Sequence, residues 1–119
     1  MKSRIKPCNI NNFLKFPHLK YEMINLVNEF GIELQFIITI EEMSELTKEI
    51  CKFLRNKNES SIIENVFNEI VDIEVMLDQI KLILSHCLKE YYPKAIIEKS
   101  NRIIDMNREI INKRDDNNK

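Results

Sequence analysis

Residues 62–84 read IIENVFNEIVDIEVMLDQIKLIL, a run whose apolar residues would cover nearly the whole circumference of a helix. Such a distribution is typical of a helix that is buried on several sides. Two acidic residues, Glu69 and Asp72, lie one turn apart in this run. Because an ionised carboxylate is costly to bury without a partner, the run predicts a core helix with a positive charge beside Glu69 and Asp72.

A second acidic cluster, Glu41, Glu42 and Glu45, is separated from Glu69 by a spacer of 23 residues. Residues three or four apart share one face of a helix. Such a stripe contains Gln35, Ile38, Glu42, Glu45, Glu49 and Lys52, with Glu41 at its edge. If the two helices face each other in antiparallel orientation, four carboxylates converge on one point. Oxygen-only ligands select hard cations, so the pattern predicts a Mg²⁺ site, with Mn²⁺ as the alternative.

A different interpretation of the same acids is open at this point. Acidic residues on a helix are commonly solvated, and Glu41 or Glu49 could pair with Lys48, Lys52 or Arg55. The acids would then form salt bridges in a non-catalytic helical interaction or oligomerisation module. That alternative predicts that loss of Glu45 changes stability without any dependence on Mg²⁺.

The composition excludes several classes of protein. With 119 residues, a net charge of −1 and 31% charged residues, the chain predicts one domain without the basic patch of a nucleic-acid-binding protein. It contains no run of 18 apolar residues and no signal-peptide core, so we expect a cytoplasmic protein that does not enter membranes. Three scattered cysteines and two histidines argue against a zinc site or a disulfide framework.

The single glycine, Gly31, limits how phosphate can be bound. A Gly-rich phosphate loop needs several glycines, so phosphate here would be held by metal ions and by lysine or arginine side chains. A di-iron helical bundle is also disfavoured, because such sites use Glu-x-x-His pairs and neither His18 nor His86 follows a glutamate by three positions.

The hydrophobic pattern along the chain predicts an all-α protein. We expect an irregular arm over residues 1–17, one helical domain over 18–113 and a frayed tail over 114–119. The helices are expected at about 18–30, 32–56, 62–88 and 93–113, with Gly31 ending the first and Pro93 opening the fourth. Ile97, Ile104 and Ile111 recur every seven residues, which indicates helix-on-helix packing. The apolar third helix makes a dimer the minimum expectation.

The two acidic clusters together are similar to a known signature. Glu-Glu-x-x-Glu, a spacer of 23 residues and Glu-x-x-Asp resembles the motif of the MazG-like, all-α nucleoside triphosphate pyrophosphohydrolases, and the resemblance covers about residues 30–105. It implies a four-helix bundle that assembles as a homodimer or homotetramer. It also implies Mg²⁺-dependent cleavage of NTP or dNTP to the monophosphate and pyrophosphate, a reaction that would serve nucleotide-pool housecleaning.

The resemblance implies roles for individual residues. The metal ligands would be Glu42, Glu45, Glu69 and Asp72, while Glu41 is the candidate for supporting them or for positioning and deprotonating the attacking water. Three basic residues are candidates for binding the phosphates: Lys52, on the acidic stripe, and Lys99 and Arg102, where related proteins often carry a basic pair. Gln35 could form a hydrogen bond with the base or the sugar.

Overall fold

The computed structural model describes residues 10–118, which form four α-helices and contain no β-strand. The helices are α1 (Lys20–Phe30), α2 (Ile32–Arg55), α3 (Ser60–Ile83) and α4 (Ser85–Asn117), preceded by single 3-10 turns at Asn11–Phe13 and Pro17–Leu19. The prediction of an all-α protein is therefore confirmed. Residues 1–9 of the predicted arm and residue 119 of the predicted tail lie outside the described residues.

Gly31 separates α1 from α2, as the sequence predicts. Its φ of +93° lies in the region that favours glycine, and its N–H donates to the Val27 carbonyl at 2.8 Å. The helical segments on either side, Pro17–Phe30 and Ile32–Arg55, are bent by 111° relative to each other. A single residue thus turns the chain sharply from α1 into α2.

The helices α2 and α3 form an antiparallel hairpin joined by residues 56–59. Asn56 closes α2 by donating its N–H to the carbonyls of Lys52 and Phe53 at 3.0 and 3.1 Å. Its side-chain Nδ2 donates to Glu59 Oε2 at 2.9 Å, on the residue that precedes α3. A loop this short keeps two consecutive helices adjacent, so the acidic faces of α2 and α3 can meet.

The hairpin buries polar side chains on α2 and leaves apolar side chains on the outer surface. The buried residues of α2 are Gln35, Thr39 and Glu49. On a neighbouring face, about 100° around the same helix, lie exposed apolar residues at heptad-like spacing, namely Ile40, Met43, Ile50 and Leu54. On α3, Ile63, Phe67 and Val71 are likewise exposed. The sequence predicts that α3 is buried on several sides, but in the single chain part of its apolar surface is exposed.

The segment before α1 is attached to α3 by a fully buried carboxylate, Asp78. Its two oxygens accept the backbone N–H groups of Lys15 and Phe16 at 2.9 and 2.7 Å. Lys81 lies one turn further along α3, where its Nζ donates to the Phe13 carbonyl at 2.9 Å and lies 3.8 Å from Asp78 Oδ1. These contacts satisfy backbone groups that have no helical partner.

The last helix differs from its predicted course. The prediction that Pro93 opens this helix is wrong, because α4 begins at Ser85 and contains Pro93 in its interior. Proline there removes one backbone hydrogen bond, a cost of about 3 kcal/mol that continued helix formation on both sides can offset. The break from α3 lies instead at Leu84, and α4 extends to Asn117 over residues predicted as a tail.

The chain divides into two compact units between Ser85 and His86. Within the second unit, every residue from 94 to 118 is exposed, including the heptad-spaced isoleucines of α4. The single helical domain over 18–113 stays a prediction.

Among residues 10–118, no single helix combines the length and the apolar character needed to cross a membrane. Pro17–Phe30 and Ile32–Arg55 meet that criterion only together, as a bent pair.

The attachment at Asp78 generates a stability prediction. Asp78→Asn keeps the shape of the side chain but replaces one acceptor by a donor that faces a backbone N–H, and it removes the charge opposite Lys81. We expect the free energy of unfolding to fall by about 2–4 kcal/mol, measured by urea denaturation. Asp105→Asn, at an exposed position of α4, is the matched control. An unfolding curve for Asp78→Asn that coincides with wild type would contradict the assigned role.

Candidate metal centre

The inner face of α2 is set by residues three or four positions apart. Glu42 lies on this face one turn after Thr39, whose hydroxyl donates to the Gln35 carbonyl at 2.8 Å and so is used within its own helix. Glu42 is half-buried, whereas the neighbouring Glu41 and Glu45 are exposed. The helix therefore directs the Glu42 carboxylate toward α3 and leaves those of Glu41 and Glu45 at the rim.

Three carboxylates from the two helices meet at the middle of the hairpin. One ligand oxygen from each of Glu42, Glu69 and Asp72 lies within 4.8 Å of the others. Glu42 and Glu69 are half-buried and Asp72 is exposed, so the group has one open side. The convergence of the two acidic clusters, inferred from helical spacing, is present for these three residues.

One oxygen atom of Glu69 gives the strongest indication that the cluster binds a cation. Its Oε2 is buried and accepts no hydrogen bond from the described residues. Burial of an ionised oxygen without a partner is strongly unfavourable, and proteins commonly resolve it with a cation or a proton. Glu69 also contributes one oxygen to the three-carboxylate group, which is the donor chemistry that a hard divalent cation prefers.

The electrostatics of the cluster act on Glu42. Its pKa is raised above the ordinary glutamate value, first by desolvation on burial and then by the negative charges of Asp72 and Glu69. A side-chain hydrogen bond with Glu69 and the charge of Glu45 act in the same direction. All of these causes disfavour an ionised Glu42, and a bound cation would reverse the effect of the neighbouring charges.

Glu45, a predicted ligand, lies apart from the three-carboxylate group. Its carboxylate is exposed, with Oε1 3.6 Å from Lys48 Nζ, the surface pairing expected of a solvated helix residue. Its charge nevertheless raises the pKa of Glu42, so it lies within electrostatic range of the cluster. Glu41, the candidate for handling water, is exposed at the adjacent position of α2.

The predicted phosphate-binding lysine of α2 is held by a residue that sequence reasoning did not select. Lys52 Nζ donates to Glu49 Oε1 at 3.0 Å. Glu49 is only 8% exposed, and its other oxygen, Oε2, is buried and accepts no hydrogen bond from the described residues. Glu49 lies on the same predicted stripe as Glu42 and Glu45. From the sequence alone, however, a pair between Glu49 and a lysine cannot be distinguished from a surface salt bridge.

The other candidate residues are not members of the three-carboxylate group. Gln35 is buried on α2, two turns before Glu42. Lys99 and Arg102 lie in the second compact unit, where both are exposed on α4. Gln79, which the sequence did not single out, is buried on α3 with an unpartnered Oε1. Its spacing of seven residues from Asp72 was the available signal, since that step returns to the same helix face.

No protein-family model, curated protein or solved structure matches this chain. The resemblance to the MazG-like group stays a prediction carried by the acidic residues themselves.

The raised pKa of Glu42 generates a pH prediction for the protein in chelator. A carboxyl group with a higher pKa in the folded state stabilises the fold fully below the unfolded-state pKa, about 4.3. That stabilisation is lost as the pH rises through the folded-state pKa. Glu42→Gln removes the ionisable group, so at pH 7 in EDTA we expect the variant to melt at a higher temperature than wild type.

A divalent cation should reverse the order of the two melting temperatures. In saturating Mg²⁺ the wild-type protein should gain stability, by about 2.7 kcal/mol at one hundred times Kd, while Glu42→Gln gains much less. Thermal melts at pH 5 and pH 7, with EDTA and with Mg²⁺, measure both effects, and Glu64→Gln at an exposed site of α3 is the control. Wild-type and variant melts that respond equally to Mg²⁺ would contradict a metal centre at Glu42.

Proposed function

We propose that this protein is a Mg²⁺-dependent nucleoside triphosphate pyrophosphohydrolase, which converts NTP or dNTP to the monophosphate and pyrophosphate. The observation that carries the proposal is the meeting of Glu42, Glu69 and Asp72 within 4.8 Å, with an unpartnered buried oxygen on Glu69. The bipartite acidic motif supports the choice of reaction, because it resembles the signature of enzymes that cleave this bond.

The donor set fits Mg²⁺ or Mn²⁺ better than other common metals. The cluster offers carboxylate oxygens, and the described cysteines, Cys51 and Cys87, are not among its members. Mg²⁺ is usually held by a few carboxylates and keeps other positions for water and phosphate oxygens. The exposed side of Asp72 suits such a partly open site. When bound, the ion would neutralise phosphate charge and lower the pKa of a coordinated water.

The protein's own residues would contribute position and charge. Glu42 and Glu69 come from facing helices, so the hairpin fixes their separation before a substrate arrives, and little reorganisation is needed on binding. Asp72 and Glu45 would complete the ligand set at the solvent side. Glu41, exposed beside Glu42, would orient a water molecule and accept its proton.

Cationic side chains would then bind the polyphosphate. Lys52 is oriented by the buried carboxylate of Glu49 at 3.0 Å, which holds the ammonium on the acidic face of α2. Its remaining N–H groups are free to bind a terminal phosphate. Lys99 and Arg102 are proposed for the same purpose, from α4.

We also propose that the active form is a homodimer or homotetramer. The proposal is supported by exposed apolar side chains on α2 and α3, of which Phe67 is 63% exposed. The isoleucines of α4 are exposed as well. Large exposed apolar side chains in such number commonly mark an interaction surface.

The reaction is tested by the products formed from a panel of NTPs and dNTPs. We expect release of the monophosphate and pyrophosphate only when Mg²⁺ or Mn²⁺ is present. Glu69→Gln should lower kcat/KM by about a hundredfold or more, because it removes a charge that holds the cation while keeping the side-chain shape. Chromatographic separation of mono- and diphosphate products distinguishes this reaction from loss of the terminal phosphate.

The control for that experiment is Glu64→Gln, which makes the same chemical change at an exposed position of the same helix. It should retain activity within about twofold of wild type. Diphosphate and inorganic phosphate as products would refute the proposed cleavage site. Full activity of Glu69→Gln would refute the proposed metal centre.

Self-association is tested by light scattering coupled to size exclusion. We expect wild type to elute with twice or four times the subunit mass. Phe67→Glu should shift the protein toward the monomer, because a charge would have to be buried at the interface. Asn58→Glu, in the exposed hairpin loop, introduces the same charge elsewhere and should leave the mass unchanged. A monomeric wild-type protein at micromolar concentration is the contrary result.

A second candidate function, a non-catalytic helical interaction module, is favoured by the same exposed apolar faces. In that case the protein would self-associate without binding Mg²⁺. Loss of Glu45 would then change stability equally with and without the cation. Absence of turnover together with a Mg²⁺-independent melting temperature would select this alternative.

A further inference from the structure

Helix α4 carries an ordered arrangement of apolar, basic and acidic residues. Every residue from 94 to 118 is exposed, and this stretch lies in the second compact unit. Ile97 is 61% exposed and Ile103 is 67% exposed. Large apolar side chains in such number on one helix commonly mark an interaction surface. They occur as three adjacent pairs at intervals of seven residues, namely Ile96 and Ile97, Ile103 and Ile104, and Ile110 and Ile111.

The isoleucine pairs form a broad face rather than a coiled-coil seam. A seam needs apolar residues at alternating steps of three and four. Three positions after each pair, however, α4 carries Ser100, Asn107 and Arg114. Adjacent residues point about 100° apart, so the pairs together with Met106 cover about half of the helix circumference. A face of this width suits a flat apolar surface better than a single partner helix.

The charged residues of α4 are sorted by their distance from this face. At about 100° per residue, the three acids between positions 94 and 113 lie opposite the isoleucines, within about 40° of one another. The five bases of the same stretch lie on both sides of the acids, between them and the apolar face. The acids are Glu98, Asp105 and Glu109, and the bases are Lys99, Arg102 and Lys113 on one side and Lys94 and Arg108 on the other.

The positions of the bases decide which partner fits α4. If α4 paired with the α4 of a second copy, in either direction, bases would lie beside bases along both edges of the contact, which is unfavourable. The self-association proposed above is thereby left to the faces of α2 and α3. A surface that matches α4 has an apolar layer bordered by negative charge. An anionic lipid bilayer has this order, because its phosphate groups lie above its acyl chains.

We infer that α4 binds the surface of an anionic lipid bilayer, lying in the plane of the headgroups with its isoleucines toward the acyl chains. The long stems of the flanking lysines and arginines can lie on apolar surface while their charges reach the phosphate groups. A helix in this orientation needs only one apolar face, whereas a spanning helix needs a length and apolar character that no single helix of residues 10–118 has. Ser100 and Asn107, between the two rows of isoleucines, keep the immersion shallow. This binding does not depend on the proposed reaction.

The test is sedimentation of the full chain with sucrose-loaded vesicles of phosphatidylcholine, with and without phosphatidylglycerol. We expect wild type to bind the vesicles that contain phosphatidylglycerol and to bind the others much less. Ile104→Glu places a charge on the apolar face, and Asn112→Glu places the same charge on the polar side of α4. Because only the first change removes apolar contact with the acyl chains, Ile104→Glu should bind about tenfold less than Asn112→Glu.

The contribution of the bases is tested at Arg108 and Lys113, which lie on opposite sides of the apolar face. Lys99 and Arg102 are left unchanged because they are also proposed to bind the substrate. Replacing Arg108 and Lys113 by glutamine should weaken binding to phosphatidylglycerol vesicles about fivefold for each base. Binding to phosphatidylcholine alone should not change, and added salt should mimic the substitutions. All substituted residues are exposed, so each variant should melt at the wild-type temperature.

Three results would overturn this inference. Wild type that sediments with neither kind of vesicle would show that α4 does not bind lipid. Equal binding by Ile104→Glu and Asn112→Glu would show that the apolar face takes no part. A lower mass of Ile104→Glu in lipid-free light scattering would assign this face to a second copy of the chain. Nucleotide hydrolysis is measured separately, without vesicles, so the failure of the proposed reaction and the failure of lipid binding are distinguishable.

Discussion

Repulsion among Glu42, Glu69 and Asp72 is the constraint on which the rest of the structure depends. Their oxygens lie within 4.8 Å of one another, and the repulsion is strengthened by partial burial between two helices. The short 56–59 loop and the lengths of α2 and α3 bring these groups together at the middle of the hairpin rather than at a frayed end. The fold therefore holds negative charge in place, which is an unfavourable arrangement unless a positive charge occupies it.

In the α2–α3 hairpin, polar side chains take buried positions that apolar side chains usually occupy. Residues buried on α2 are polar, and many of its apolar residues face outward. In an ordinary amphipathic helix the apolar stripe faces the core and drives packing. Here the core of the first unit is supplied mainly by α1, the segment before it and the second half of α3, through residues such as Val27, Ile10 and Leu82. The outer faces are left for association with other subunits.

Helical spacing predicted the all-α fold, the end of α1 at Gly31 and the meeting of Glu42 with Glu69 and Asp72. Spacing identifies the face of a helix but not the depth of a side chain, so it did not distinguish Glu42 from the exposed Glu45. The break at Leu84 escaped prediction because it involves neither glycine nor proline, whereas the proline at 93 lies inside a helix. The role of Asp78 depends on contacts with the segment before α1, which no local pattern records.

The attachment of the N-terminal segment by Asp78 has a consequence for the order of folding. The hydrogen bonds from Lys15 and Phe16 join residues 63 and 62 positions apart. Closing so long a loop costs considerable chain entropy, whereas the turn at Gly31 and the 56–59 loop join neighbouring helices. The α2–α3 hairpin can thus assemble early from local contacts. The segment around residues 10–16 docks last, onto a surface that exists only after α3 has formed.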